Sequence, residues 1–518
     1  MWRPRQLALA ALLATSATGA IAQLHTQPGD LPPHAQHWYG IAMDWLDTKW
    51  RPEAGTCGGS VRMTAQYALG LWLRDAPGDR DRANTAMRTV LGAQWDAPEE
   101  RWHGTYRRAL DEPDPPDPAM VWRHYDPNWR AFIGTQQALA LHAFPERIAP
   151  AVRRGMEAAL RLAAEGALAR DVGAHYTNIS MMVAWLLADS GVRFDTPQWR
   201  VAGRDKAEAI VRLYNTHDTV SEYNSPTYAG VSIYGAALWR ALPPVPEMAE
   251  WGARLERGQW RDLAMHYHAG LKNLAGPWDR SYAMDMMKTV SLAGFWPAFF
   301  VVPEQAPVPL PGASKSFEFG ALPGYAMLAK HPGEEVLQHF TAFRYPREVA
   351  RFTGPPDVRP AQSYVGRDLL LGAGSTRRGR FAHDDDQDHP VTAHWRTPGG
   401  DVAWIRLQMR AAVAATLEGQ TMDITVRTDR TPRNTGHIVF EVFAPGADTA
   451  AQTAAHWQLP GLEVDVAGLP DALVAETEGG QLRLAYPIDE AMRRDATRIL
   501  LRFRVAAEDP AAEDPAAE

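Results

Sequence analysis

The chain changes texture once, and that change constrains its fold more than any other feature. From His34 to about Pro303 apolar residues recur at helical spacing, as in Trp129–Ala143 (WRAFIGTQQALALHA), Ala151–Leu168, Ser180–Ser190, Asp205–Tyr214 and Val231–Leu242. After the proline-rich stretch Val302–Pro311 the segments become short and rich in Val, Ile, Leu and Thr. Gly324–Ala329, Asp401–Met409, Met422–Thr428, Gly436–Phe443, Gln481–Tyr486 and Arg498–Val505 are separated by Gly, Pro, Asp or Asn. This pattern predicts a multidomain chain, α then β: an N-terminal domain of helical hairpins over 23–305, compatible with a curved array or an (α/α) toroid, and a C-terminal antiparallel β-sandwich over 315–505. Repeats of fixed period are lacking, so the helices are not expected to form a regular solenoid.

The ends read differently. Arg3 and Arg5, the apolar run Leu7–Ala14 and Ala20-Ile21-Ala22 before Gln23 have the form of a signal peptide over 1–22, which predicts an exported protein, periplasmic or secreted. No other stretch reaches the roughly 20 apolar residues of a membrane helix. The tail AAEDPAAEDPAAE over 506–518 is low-complexity and acidic, and is expected to be disordered. With 53 Lys and Arg against 61 Asp and Glu, the net charge of −8 leaves no basic excess for neutralising nucleic-acid phosphates. The single cysteine, Cys57, excludes an intrachain disulfide framework and a cysteine-based zinc cluster.

Four stretches concentrate polar, ionisable and aromatic residues: His124–Arg130 (HYDPNWR), Ala174–Asn178 (AHYTN), Ser221–Tyr234 (SEYNSPTYAGVSIY) and Gly276–Asp285 (GPWDRSYAMD). Each falls at the boundary of a predicted helix, where binding groups on a rigid scaffold tend to lie. Taken singly, Asn178 and Asn224 also suit capping or Asx turns, and the aromatics suit packing. Together on one helical domain they point to a shared cleft.

The third stretch carries a family resemblance. Tyr223-Asn224-Ser225-Pro226-Thr227-Tyr228-Ala229-Gly230, followed by Tyr234-Gly235, resembles the segment bearing the catalytic tyrosine in chondroitin AC and hyaluronate lyases. These are polysaccharide lyases of the helical-toroid plus β-sandwich type, akin to alginate lyases and the heparinase II/III-like superfamily. The resemblance implies that Tyr234 is the catalytic tyrosine. It also implies that Asn178, in Tyr176-Thr177-Asn178-Ile179, turns its amide to a substrate carboxylate, and that Arg280, in Asp279-Arg280-Ser281-Tyr282, contacts substrate. Two departures stand out. The spacing is longer by two residues, and Asn224 occupies the position nearest to the lyases' histidine. Either His175 supplies the imidazole, or one tyrosine is both base and acid, as in some alginate lyases.

The expected reaction is β-elimination from an anionic, uronate-containing polysaccharide. Removing the weakly acidic proton on C5 builds enolate charge on the carboxylate, which amides and a cation must neutralise. Asn178, Asn224 and Arg280 are candidates for that task, and Tyr234, with Tyr228 and His175 as alternatives, for proton transfer. Tyr282, Trp129 and Trp278 are candidate substrate contacts, Trp122 a further stacking residue, and Gln387, His389 and His394 secondary ones from the β region. The acidic loop His383–His394 also has the composition of a divalent-cation site, but no ligand spacing supports one and no cofactor is expected. Two rival readings remain at this stage. One is a glycoside hydrolase using a carboxylate pair drawn from Asp126, Glu222, Asp279 and Asp285; the other is a non-catalytic glycan-binding protein.

Overall fold

The computed structural model describes residues 24–354, 358–376, 387–408, 411–428 and 436–506. The stretch 1–22 expected as a signal peptide, the tail from 507 onward and His383 to Asp386 of the acidic loop lie outside the described residues. The chain folds as two compact units. The first takes residues up to 222, 227–260 and 286–337, and the second takes 223–226, 261–285 and the chain from 338 onward. One cut between 305 and 315 therefore does not separate them.

The helices are α1 (Pro33–Lys49), α2 (Val61–Arg74), α3 (Asp79–Gly92), α4 (Trp129–Ala143), α5 (Pro150–Arg170), α6 (Thr177–Arg193), α7 (Pro197–His217), α8 (Tyr228–Ala241), α9 (Pro246–His266), α10 (Leu292–Ala298), α11 (Leu322–Leu328), α12 (Glu334–Thr341) and α13 (Glu490–Arg494). In the first unit, α2 packs on α4, α4 on α6 and α6 on α8, while α1, α10 and α11 close the gap between α8 and α2. These inner helices are apolar on all sides, the pattern of a helix with no solvent face. Thr177 to Gly191 of α6 and Ala229 to Ala241 of α8 are buried without a break.

Outer helices answer them. The buried positions of α7 (Trp199, Gly203, Ala207, Ile210, Val211 and Tyr214) recur at steps of three and four, one apolar stripe against α6. Contact there is close enough to require glycine: a Cβ on Gly203 would sit 2.5 Å from the carbonyl oxygen of Ala184. Because each inner helix is followed by an outer helix that returns, the inner helices α2, α4, α6 and α8 run the same way. Their N-termini consequently lie at one end of the unit.

A short ladder of β1 (Trp50–Arg51) and β2 (Thr56–Cys57) belongs to the first unit. The second unit contains β3 (Tyr267–His268), β4 (Asn273–Leu274), β5 (Trp278–Asp279), β6 (Arg347–Thr353), β7 (Arg359–Val365), β8 (Leu369–Gly374), β9 (Asp388–His389), β10 (Val391–Arg396), β11 (Val402–Leu407), β12 (Ala412–Glu418), β13 (Thr421–Arg427), β14 (His437–Phe443), β15 (His456–Leu459), β16 (Leu462–Ala467), β17 (Val474–Glu478), β18 (Gln481–Pro487) and β19 (Thr497–Val505). Among the described residues an eight-stranded antiparallel sheet, ordered β17-β18-β14-β11-β10-β8-β7-β6, faces a five-stranded one, β12-β13-β19-β16-β15. Trp395, Phe440, Trp457, Ile424 and Leu501 fill the core between them.

Strand alternation sends Leu370 and His394 to the other face of the larger sheet, where Leu271 and Ala275 cover Leu370. Covered on both faces, β8 is buried at every residue. The expected α-then-β order is thus present, with one local correction. Gly324–Ala329, expected as a strand, is largely α11, because a short apolar run does not distinguish a strand from a buried helix and here it packs on α1, α2 and α8.

Candidate active site

Contacts tie the four inner N-termini into a ring. Arg62, in the first turn of α2, places its guanidinium 5.9 Å from the ring of Trp129, the first residue of α4. Asn128, just before α4, donates from Nδ2 to the hydroxyl of Tyr176, just before α6 (2.9 Å). Asn178, in the first turn of α6, donates both its backbone N–H (2.7 Å) and its Nδ2 (2.5 Å) to Oε2 of Glu222, on the segment leading to α8. Tyr228, the first residue of α8, is an electrostatic neighbour of Arg62 and completes the circuit.

Positive and negative charge meet on this rim, where Glu222, Glu318 and Asp126 face the helix N-termini and Arg62. Each helix N-terminus carries about half a positive charge from its unpaired N–H groups, and Arg62 adds a full one. Burial works against the Arg62 charge, but Glu318, 3.3 Å away, and Asp126 outweigh it and hold the guanidinium above its ordinary pKa. Asp126 is half-buried, and burial raises its carboxyl above the usual range despite the Asn128 N–H at 2.8 Å and the nearby Arg62 and Arg170.

The residues predicted for a site fare differently. Tyr228 is half-buried on this rim. Asn178 is fully buried beside it, and its Oδ1 has no hydrogen-bond partner among the described residues. Trp129 is buried against Arg62. His175 is exposed in the loop before α6. Tyr234, the first choice for the catalytic tyrosine, requires correction: it lies inside the helical core, 2% exposed. Its hydroxyl accepts from Nε2 of Gln136 (3.0 Å), its ring stacks on Tyr325 at 5.0 Å, and burial pushes its pKa well up. A phenol so held is a packing group.

Asn224, Arg280 and Tyr282 belong to the second unit. Asn224 sits in the left-handed region (φ 49°) and spends its Nδ2 on the carbonyls of Ala275 (2.6 Å) and Pro277 (3.2 Å), which makes it a brace for that segment. Arg280 donates from Nε to Oε1 of Gln387 (3.0 Å), while Tyr282 is exposed. Trp278 is no sugar platform: it is 2% exposed, enclosed by the rings of His389 (6.0 Å) and His394 (5.2 Å). These histidines are likewise structural. His389 Nε2 donates to Ser281 O (3.1 Å) and His394 Nε2 to Met284 O (2.8 Å), pinning the 281–284 loop to its own unit. Among the described residues no group of three or more His, Cys, Asp or Glu side chains is placed to hold a metal ion.

Arg62 escaped the sequence reading, although a signal was there. A cation in the first turn of an otherwise apolar helix opposes the helix dipole, and such a placement calls for a reason outside the helix.

Among solved structures, chondroitin AC lyase of Streptomyces coelicolor A3 matches at 11% identity and TM-score 0.43, over 92% of this chain and 80% of that one. The heparan sulfate lyase HepC of Pedobacter heparinus matches at 10% identity and TM-score 0.35, over 86% and 77%. A protein described as a glycoside hydrolase matches at 7% identity and TM-score 0.31, over 90% and 94%. No curated protein sequence matches. One family does, over residues 36–329, which hold both the hairpin ring and its N-terminal rim. The chain belongs to that family, described as a domain of unknown function (DUF8769).

Proposed function

We propose that the protein is an exported lyase that cleaves a uronate-containing polysaccharide by β-elimination, with Tyr228 moving the proton. The observation that carries this reading is Tyr228 beside Arg62 on a rim of four helix N-termini. Arg62 pairs with the uronate carboxylate and stabilises the enolate that forms there; one such donor is worth about 3–4 kcal/mol. The cation next to the phenol favours the phenolate that a base requires. Tyr228 as phenolate takes the C5 proton and delivers it to O4 as the C4–O4 bond breaks, leaving a C4–C5 double bond. Charge neutralisation and proton transfer both come from side chains, and the scheme calls on no cofactor. Export rests on the signal peptide at 1–22.

The raised carboxyl of Asp126 favours a glycoside hydrolase as the second reading, since a general acid needs a raised pKa. Its partner is the difficulty. Glu222 is buried and holds Asn178, and Asp279 and Asp285 belong to the other unit. Incubation with a panel of uronate polysaccharides decides the matter. Ultraviolet absorbance from a C4–C5 unsaturated product is expected, and products with only saturated ends would exclude elimination.

A further inference from the structure

The proposed reaction leaves unused a recess of the first unit, a cavity of about 660 Å³ between the 98–103 loop, Val121, Tyr125, Pro127 and Arg130, and the end of α5. That volume is in the range of small-ligand sites. Three arginines line it, the exposed Arg101 together with Arg130 and Arg170. Arg130, 2% exposed, donates from Nε to His103 O (2.8 Å) and from Nη2 to Arg101 O (2.6 Å), while its buried Nη1 has no acceptor among the described residues. Arg170 donates from Nη1 to Oδ1 of Asn128 (2.6 Å). All these acceptors are neutral, so among the described residues neither Arg130 nor Arg170 is hydrogen-bonded to a carboxylate.

The carboxylates nearby do not change this. Glu165 faces His103: the Ala97 N–H donates to His103 Nδ1 (3.1 Å), so the ring proton sits on Nε2 and points to Glu165 (3.1 Å). Glu99 and Glu100 are exposed lining residues, and Asp126 is shared electrostatically with Arg62. Two adjacent, partly desolvated cations repel each other, and burial together with the Arg170 charge pulls Arg130 down to about 10.

Over Arg170 lies an aromatic face. The Trp122 ring is 5.8 Å from the Arg170 guanidinium, yet the residue is 50% exposed. Its backbone is held at φ 71°, rare for a bulky residue, by bonds from its N–H to Tyr125 O (2.8 Å) and from Arg108 Nη1 to its carbonyl (3.1 Å).

We infer that this recess binds an acidic sugar residue, whose carboxylate or sulfate is received by Arg130 and Arg170 and whose pyranose face lies on Trp122. Guanidinium forks suit either oxyanion. The choice of a sugar rests on the lyase reading, whereas the anion site rests on the two arginines. The test is calorimetric titration of the full chain with glucuronate, glucose 6-sulfate and glucose. One or both acidic sugars are expected to bind and glucose not, with the better of the two identifying the oxyanion. Arg170→Gln and Trp122→Ala are each expected to weaken binding about tenfold or more; Trp122 is exposed, so that variant tests the idea in a folded protein. Binding of glucose equal to glucuronate, or acidic-sugar binding unchanged in both variants, overturns the inference. Binding that depends on Asn178 but on neither Arg170 nor Trp122 overturns it too. If acidic sugars bind through Arg170 while no polysaccharide yields an unsaturated product, the reaction reading alone fails.

Discussion

Tyr228 and Tyr234 lie on the same helix, and their surroundings assign them opposite uses. Tyr228→Phe is expected to cut turnover by ~100- to 10,000-fold with little change in KM, since it deletes only a proton-transferring hydroxyl. Single-turnover measurement of unsaturated product checks this, and wild-type rates in the variant exclude Tyr228 from the chemistry. Tyr234→Phe is expected to keep most of the turnover and to lose about 1 kcal/mol of stability, the worth of the hydrogen bond from Gln136. From sequence alone Tyr234 ranked first, with Tyr228 as an alternative. Both are followed by short motifs ending in glycine, and burial, which distinguishes them, depends on α11 bringing Tyr325 against Tyr234. Asn178 was legible as a residue at a helix start. Its partner Glu222 was legible only as a carboxylate, because nothing in the spacing of 44 positions announces the bond between them.

At the scale of elements, the hairpins were the readable part. The periodic stretch Trp129–Ala143 coincides with α4, and Ser180–Ser190 lies within α6, because long apolar periodicity survives whatever the tertiary context. What periodicity does not convey is how tightly two helices approach. The α6–α7 hairpin depends on the missing side chain at Gly203. Gly203→Val is therefore expected to destabilise the protein by about 1–3 kcal/mol through overpacking, seen as a lower midpoint in chemical denaturation. An unchanged midpoint would mean that the two helices can part at no cost. The division of the chain was hidden for a related reason: residues 261–285 read as a continuation of the helical region, but their apolar positions cover the second face of the larger sheet, a long-range contact that no local pattern encodes.

For the whole molecule, acid sensitivity follows from two histidines buried in the second unit. Burial lowers His266 and His394 from 6.5 to about 4, since a charged ring has no solvation there. Between these values the unfolded chain takes up protons that the folded one refuses. Their contribution to stability is therefore complete above about pH 6.5 and is lost as the pH falls to about 4. Each pH unit crossed removes up to about 1.4 kcal/mol per histidine. Denaturation of wild type and His394→Gln across pH 4–8 checks this: the variant is expected to show a shallower slope, and identical slopes would remove His394 from the account. A different consequence belongs to the common direction of the inner helices. In a chain of net charge −8, the aligned helix dipoles and Arg62 gather positive charge at one end of the first unit. On the proposed reading an acidic chain is oriented toward that end before it touches, and kcat/KM is expected to drop as added salt shortens the reach of the field.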